Sequence, residues 1–208
     1  MLSVGKVDRG AVKVVGTDTI QQLYGGIEQQ GASLGPAGAA VSISVFDDLQ
    51  CRPCAAWYLR TVPPLVEELA RTGRAKLVYH HFAMGEHDRQ VAFYAAAAAG
   101  LQGRQWQYIQ IFFTNQALAL SGGVTEKLMT RFAEQVPELD VEQWRRDRKD
   151  PQIEQVLAGD DKLTIDERLP AKPAVIVDGP GGRRKLVDAP SLTTIRRAIA
   201  EVRTAPKT

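Results

Sequence analysis

The chain has 208 residues, 44% of them hydrophobic, enough to bury one sizeable core in one domain or in a domain with an insertion. Its 26 basic and 24 acidic residues leave a formal charge of +2, which excludes a whole-molecule attraction to nucleic acid or to an anionic membrane and leaves function to a local site. No stretch reaches the roughly 18 apolar residues of a membrane span. The opening "MLSVGKVDRGAVKVVG" lacks a signal-type apolar block, so the chain as given reads as soluble and untargeted, with an anchor on a longer form left open.

Residues 1–40 read as a peripheral N-terminal arm. It holds a short strand or extended run around Ala11 to Val15, a weak helix from Asp18 to Tyr24, and the loop "GASLGPAGAA", whose Gly and Pro mark irregular backbone. "VSISVF", Val41 to Phe46, is rich in β-branched residues and predicts a buried strand ending at Asp47 and Asp48. From Arg52 to Leu69 the apolar residues recur at helical spacing, with a kink expected at Pro63 and Pro64. "AKLVYHHF", Ala75 to Phe82, predicts a second strand, parallel to the first across a right-handed crossover. Asp88 to Leu169 reads as helix, broken at Gly100 to Gly103, at Ser121, at Pro137 and around Gly159. "AVIV", Ala174 to Val177, the turn "DGPGG" and "RKLVD", Arg184 to Asp188, predict a hairpin. A last amphipathic helix runs to Val202, with Ser191 available as its cap.

The only two cysteines stand three positions apart in "QCRPCAAW", directly after the first long strand. They are too few for a disulfide framework. A tetrahedral zinc site needs four ligands, and only His80, His81, His87 and scattered carboxylates remain to complete one. A structural bridge across so short a loop removes little chain entropy. A redox dithiol is the leading reading.

The order strand, dithiol, helix, strand, helical stretch, proline, hairpin, helix resembles the thioredoxin fold. Over residues 30 to 203 the chain resembles the DsbA-like thiol:disulfide oxidoreductases, most specifically in "DLQCRPC", "AAAAAGLQGRQWQYIQIFFTNQ" and "KPAVIVDG". The resemblance implies an α/β thioredoxin fold with an inserted all-helical subdomain. Residues 41–82 and 170–204 would form the thioredoxin-like domain and residues 83–169 the insertion. It implies no metal or organic cofactor beyond the redox-active disulfide. The implied partners are reduced or unfolded protein substrates and a membrane, quinone-linked protein that re-oxidises the dithiol, in the extracytoplasmic space of a bacterial cell envelope. No nucleic-acid partner is expected. A monomer is expected, since no obvious dimerisation segment precedes residue 40.

Exchange chemistry needs one accessible sulfur that leaves well as a thiolate and a second thiol to resolve the mixed disulfide. Cys51, at a helix N-terminus, fits the first role and Cys54, one turn inward, the second. Pro53 falls in the first turn, where its missing donor costs little. Arg52 places a permanent positive charge beside the thiolate, unless it is an ordinary solvated side chain. Pro173 matches the position where the family carries a cis-proline facing the dithiol, which would leave neighbouring backbone open to an extended substrate. Lys172, where relatives more often have threonine or valine, brings a second positive charge toward Cys51 or points into solvent. Many relatives carry an acid six positions before the first cysteine. Here that position is Val45, so Asp47, Asp48 or water must handle the proton of Cys54. The Arg-Pro pair between the cysteines keeps the thioredoxin-like proline, which leaves a reductase or isomerase open, as well as a non-catalytic peptide-binding module. His80 and His81 alternate on a strand, so at most one faces the core. Both read as structural, and so do Trp57, Trp106, Tyr108, Phe112 and Phe113; "RRDRKD" from Arg145 reads as a solvated helix face.

Overall fold

The computed structural model describes residues 13–82 and 90–205. Ala11 and Val12 of the expected N-terminal strand, His87, and the start of the helical stretch at Asp88 lie outside the described residues. Around them the chain runs α1 (Thr17–Tyr24), β1 (Gln29–Gln30), β2 (Ser33–Leu34), β3 (Ser42–Asp47), α2 (Arg52–Leu65), β4 (Lys76–His81), α3 (Gln90–Leu101), α4 (Gln105–Thr114), α5 (Gln116–Gly122), α6 (Glu126–Ala133), α7 (Val141–Asp147), α8 (Pro151–Asp166), β5 (Ala174–Gly179), β6 (Gly182–Leu186) and α9 (Leu192–Val202).

The strands form one six-stranded sheet in the order β1-β2-β4-β3-β5-β6. The central pair β3 and β4 is parallel, as their connection through α2 requires. β5 lies antiparallel on the other side of β3, with Ala174 opposite Phe46. Because side chains alternate across a strand, Ile43 and Val45 of β3 join the large core that also takes Cys54, Tyr58 and Val62 of α2. Phe46 points the other way, into a small cluster with Phe82, Leu169, Ala174 and Ile176. Asp47 therefore returns to the face of α2.

The N-terminal arm is not peripheral. β1 and β2 extend the sheet beyond β4, and α1 buries Ile20, Leu23 and Tyr24. The Tyr24 hydroxyl meets that of Tyr58 at 3.2 Å and donates to Gln110 Oε1 at 3.1 Å. Arg71 secures the end of α1, donating to the carbonyls of Gln22, Leu23 and Gly25. Upstream, the Asn115 side chain pairs with both the N–H and the carbonyl of Val15, holding an extended run in place of a strand.

α2 passes through Pro63 and Pro64 and continues as a π turn over Val66–Ala70, closed by the Arg71 N–H on Val66 O at 2.9 Å. The donors these prolines lack would serve the carbonyls of Leu59 and Arg60. Both residues are exposed, so water can serve instead. Gly159 does not break a helix: it sits inside α8, with open space where a Cβ would stand. Its cost of about 1 kcal/mol is too small to end a helix anchored by buried Ile153, Leu157, Asp160 and Thr164. The break falls before it, where the Asp150 side chain caps the Gln152 N–H and Pro151 opens the helix. The hairpin turns tightly between Gly179 and Gly182, Gly182 supplying φ +108°. Ser191 caps α9, accepting from the Thr194 N–H at 3.1 Å.

Candidate active site

Where β3 ends, the chain turns through Leu49 and Gln50 into α2. The Asp48 carbonyl accepts the Cys51 N–H at 3.0 Å, and the Asp48 carboxylate accepts the Gln50 N–H at 2.9 Å. Cys51 is thereby set at the N-cap of α2 in extended conformation. Its Sγ accepts the otherwise unpaired Cys54 N–H at 3.3 Å, so the helix start aims a backbone donor at the sulfur that becomes anionic. Cys51 and Cys54 are joined in a disulfide, their Cα atoms 5.2 Å apart. Cys51 is half-buried and Cys54 wholly buried. Arg52 and Pro53 between them are exposed, Pro53 in the first helical turn. Arg52 makes no side-chain hydrogen bond or ion pair among the described residues.

Two buried carboxyls stand behind the dithiol. Asp47 is fully buried; its Oδ1 accepts the Asp48 N–H at 2.8 Å, and its Oδ2 has no hydrogen-bond partner among the described residues. Burial pushes the Asp47 carboxyl well above the usual carboxylate range, and the neighbouring Asp48 charge adds to the rise, against the pull of the Asp48 N–H and of Lys172. The Tyr79 hydroxyl donates to the Asp47 carbonyl at 3.3 Å. Asp47 in turn helps burial raise Tyr58, one helical turn beyond Cys54.

Asp48, also fully buried, holds the Lys172 ammonium at 2.6 Å. Lys172 also donates to the Phe82 carbonyl at 3.0 Å and lies 5.7 Å from the Phe82 ring centre. The Lys172–Pro173 peptide bond is cis, as the resemblance implied. Pro173 is buried immediately before β5, beside the strand end from which the dithiol turn departs. Cys51, Cys54, Lys172 and Pro173 thus converge on one end of the sheet.

Gln116 closes the stretch "AAAAAGLQGRQWQYIQIFFTNQ", and the sequence alone assigns it no role of its own. From the start of α5 its amide donates to the carbonyls of Leu49 at 2.7 Å and Cys51 at 3.0 Å, tying the helical insertion to the dithiol turn. Trp57 is core, its indole N–H on the Pro190 carbonyl at 2.7 Å. His81 is buried and stacked on Phe93, while His80 stacks on Phe46 on the opposite face. Asp160 of α8 joins them: one oxygen meets His80 Nδ1 at 2.8 Å and the other accepts the His81 N–H at 2.8 Å. His80 Nε2 meets Ser44 Oγ at 3.3 Å. Among the described residues no three His, Cys, Asp or Glu side chains gather as a metal site.

A sequence-family model described as Thioredoxin matches residues 28–199. The chain belongs to the thioredoxin family. Beyond that family, its sequence and fold are similar to those of DsbA-like disulfide bond formation proteins. It is 27% identical over 150 residues to a probable disulfide bond formation protein D of Bacillus cereus, covering 71% of this chain and 69% of that one. Among solved structures, oxidised BdbD of Bacillus subtilis superposes with a TM-score of 0.70 at 16% identity, over 82% of this chain and 91% of that one. DsbA of Chlamydia trachomatis gives 0.66 at 18% identity, over 82% and 88%. These structural likenesses establish the thioredoxin fold of the chain. No helix among the described residues is long and apolar enough to cross a membrane.

Proposed function

We propose that this thioredoxin-family protein is an oxidase that introduces disulfides into reduced or unfolded proteins outside the cytoplasm. The observation that carries this reading is the unequal exposure of the two sulfurs, Cys51 half-open at a helix tip and Cys54 sealed behind it. A substrate thiolate attacks Cys51, the Cys51–Cys54 bond breaks, and its electron pair leaves on Cys54. Asp47, buried on the same face with an unpartnered oxygen, gives its proton to Cys54. A second substrate thiolate then attacks the substrate sulfur of the mixed disulfide and releases Cys51 as a thiolate. Two substrate thiols have been oxidised and one protein disulfide reduced, and Asp47 regains its proton from solvent.

The Cys54 N–H and the end of α2 stabilise that thiolate, and exposed Arg52 adds positive charge. Each stabilises the reduced protein and so makes the disulfide more oxidising. Pro173, with the backbone of Lys172 beside it, is the substrate-docking edge. The relatives named for disulfide bond formation support the oxidising direction, and disulfides persist in oxidising compartments such as the periplasm. Re-oxidation falls to a membrane partner. Equilibration of the Cys51–Cys54 couple with glutathione tests the direction. A potential nearer the about −120 mV of a strong oxidase than the about −270 mV of thioredoxin, with oxidation of a reduced peptide, is the expected result. A thioredoxin-like value would overturn it in favour of a reductase.

A further inference from the structure

We infer that Gln116 is a positioning residue for disulfide exchange: its amide holds the turn at Cys51 in the shape that presents the Cys54 N–H to the Cys51 sulfur. The inference rests on the redox reading of the dithiol and concerns how a residue of the helical insertion tunes it. Gln116 is buried, and its Nε2 directs one hydrogen to the Leu49 carbonyl at 2.7 Å and the other to the Cys51 carbonyl at 3.0 Å. The Cys51 carbonyl is also the first acceptor of α2, taking the Ala55 N–H at 3.2 Å. Gln116 therefore grips the N-cap residue itself, by its backbone, from outside the helix.

The grip is rigid at its other end. Asn115, buried next to it, donates to the carbonyls of Ile111 at 2.8 Å and Val15 at 2.9 Å and accepts the Val15 N–H at 3.0 Å. Phe113, near the end of α4, packs on Tyr58 of α2 with ring centres 4.6 Å apart. The insertion thus holds α2 both at its side and at its tip.

While the disulfide is closed, Cys51 is tied covalently to Cys54, and Gln116 duplicates a restraint already present. Reduction removes that tie. The N-cap is then kept extended by hydrogen bonds alone, and only in that conformation does the Cys54 N–H, 3.3 Å from Cys51 Sγ, point at the sulfur. That bond also strengthens when its acceptor becomes a thiolate. The two bonds from Gln116 therefore stabilise the reduced protein more than the oxidised one, where less freedom remains to be restrained. Their loss must make the disulfide less oxidising.

The test measures Gln116→Met, which keeps the length of the side chain but has no donor, in the full chain, with Thr125→Ala as control. Thr125 caps α6 of the same insertion through the Leu128 N–H at 3.2 Å, so its loss loosens the insertion without removing a bond to the dithiol turn. Each protein is equilibrated with glutathione, and the Cys51 pKa is read from thiolate absorbance. In the equilibration two glutathione thiols form one glutathione disulfide, and their two electrons and two protons reduce the Cys51–Cys54 bond to two thiols. Gln116→Met is expected to move the equilibrium about fivefold toward the oxidised protein, about 20 mV less oxidising. Its Cys51 pKa should rise, and its urea midpoint should fall more in the reduced form than in the oxidised one. Thr125→Ala should lower both midpoints alike and leave the equilibrium within about twofold of wild type. A merely structural Gln116 would behave as Thr125→Ala does. That result, a shift toward the reduced protein, or an equal shift in Thr125→Ala overturns the inference. If Gln116→Met does not fold, Gln116→Asn, which sets the amide one methylene back, replaces it and the same direction of shift is required. A thioredoxin-like wild-type potential with the Gln116 shift intact would instead overturn the oxidase reading and leave the positioning role standing.

Discussion

At Asp47 the structure keeps a fully buried carboxyl, and the consequence appears in stability. Counting back from Cys51, the family's acid position falls on Val45, which looks like a lost proton carrier. Strand alternation restores it, because residues 45 and 47 share a face of β3 and the acid has moved one step nearer the sulfurs. That much was legible once the strand was recognised. Which of the two aspartates carries the proton was not, since the choice depends on Lys172 reaching Asp48 from far along the chain. Burial raises the Asp47 pKa in the folded state above its unfolded value of about 3.9. The folded protein therefore holds a proton that the unfolded chain has released. The resulting stabilisation is fully present below about pH 4 and is lost as pH rises from there through the raised folded value. The loss amounts to about 1.4 kcal/mol for each pH unit separating the folded pKa from the unfolded one. Asp47→Asn should remove this decline. In urea titrations of the oxidised protein from pH 4 to pH 8, wild type should lose stability relative to the variant. The variant should also reduce more slowly with a model dithiol, lacking a proton for Cys54. Parallel pH curves would show that Asp47 does not hold its proton in the fold.

Among the elements, β3, α2, β4, the hairpin and α9 were readable because each carries its own signal: a β-branched run, helical spacing, a tight Gly-Pro turn, a serine cap. The two-residue strands β1 and β2 carry none. They exist because β4 offers an edge to pair with, which no local pattern reveals. The same holds for the docking of α8, whose pattern suggests a break at Gly159. Asp160 anchors that helix by committing both carboxylate oxygens to β4, one to the His80 ring and one to the His81 N–H. Hydrogen bonds to a charged group are worth about 1.5–3 kcal/mol, and a buried N–H left without an acceptor costs a further about 1–3 kcal/mol. Asp160→Ala should therefore lower unfolding stability by about 2–4 kcal/mol, measured from the denaturant midpoint at unchanged slope. Because α8 meets β4 on the face away from α2, the glutathione equilibrium of the dithiol should stay within about twofold of wild type. A large change in that equilibrium would place α8 in the active-site network.

For the molecule as a whole, redox state and folding are coupled through one thermodynamic cycle. An unfolded chain holds its two cysteines with no helix tip and no neighbouring charge to stabilise a thiolate, so its dithiol has the potential of an unstructured peptide. On the proposed oxidase reading, the folded reduced protein gains the Cys54 N–H, the end of α2 and the Arg52 charge on the Cys51 sulfur, and the folded oxidised protein gains much less from the same groups, because its sulfur is neutral. Whatever makes the folded disulfide more oxidising must then appear as extra stability of the reduced form. The conversion is about 1.4 kcal/mol for every 30 mV. This runs against the usual effect of a disulfide, which stabilises a fold by restricting the unfolded chain, an effect already small for two cysteines three residues apart. Urea unfolding of the protein in excess reductant and in oxidant should therefore give the higher midpoint to the reduced form, by about 2–4 kcal/mol for an oxidase some 40–90 mV above the unfolded dithiol. Arg52→Gln should narrow that gap by weakening the thiolate's surroundings while leaving the oxidised protein almost unchanged. A more stable oxidised form would mean that the fold protects the disulfide instead of giving it up, and electrons would then run from this protein toward its partners.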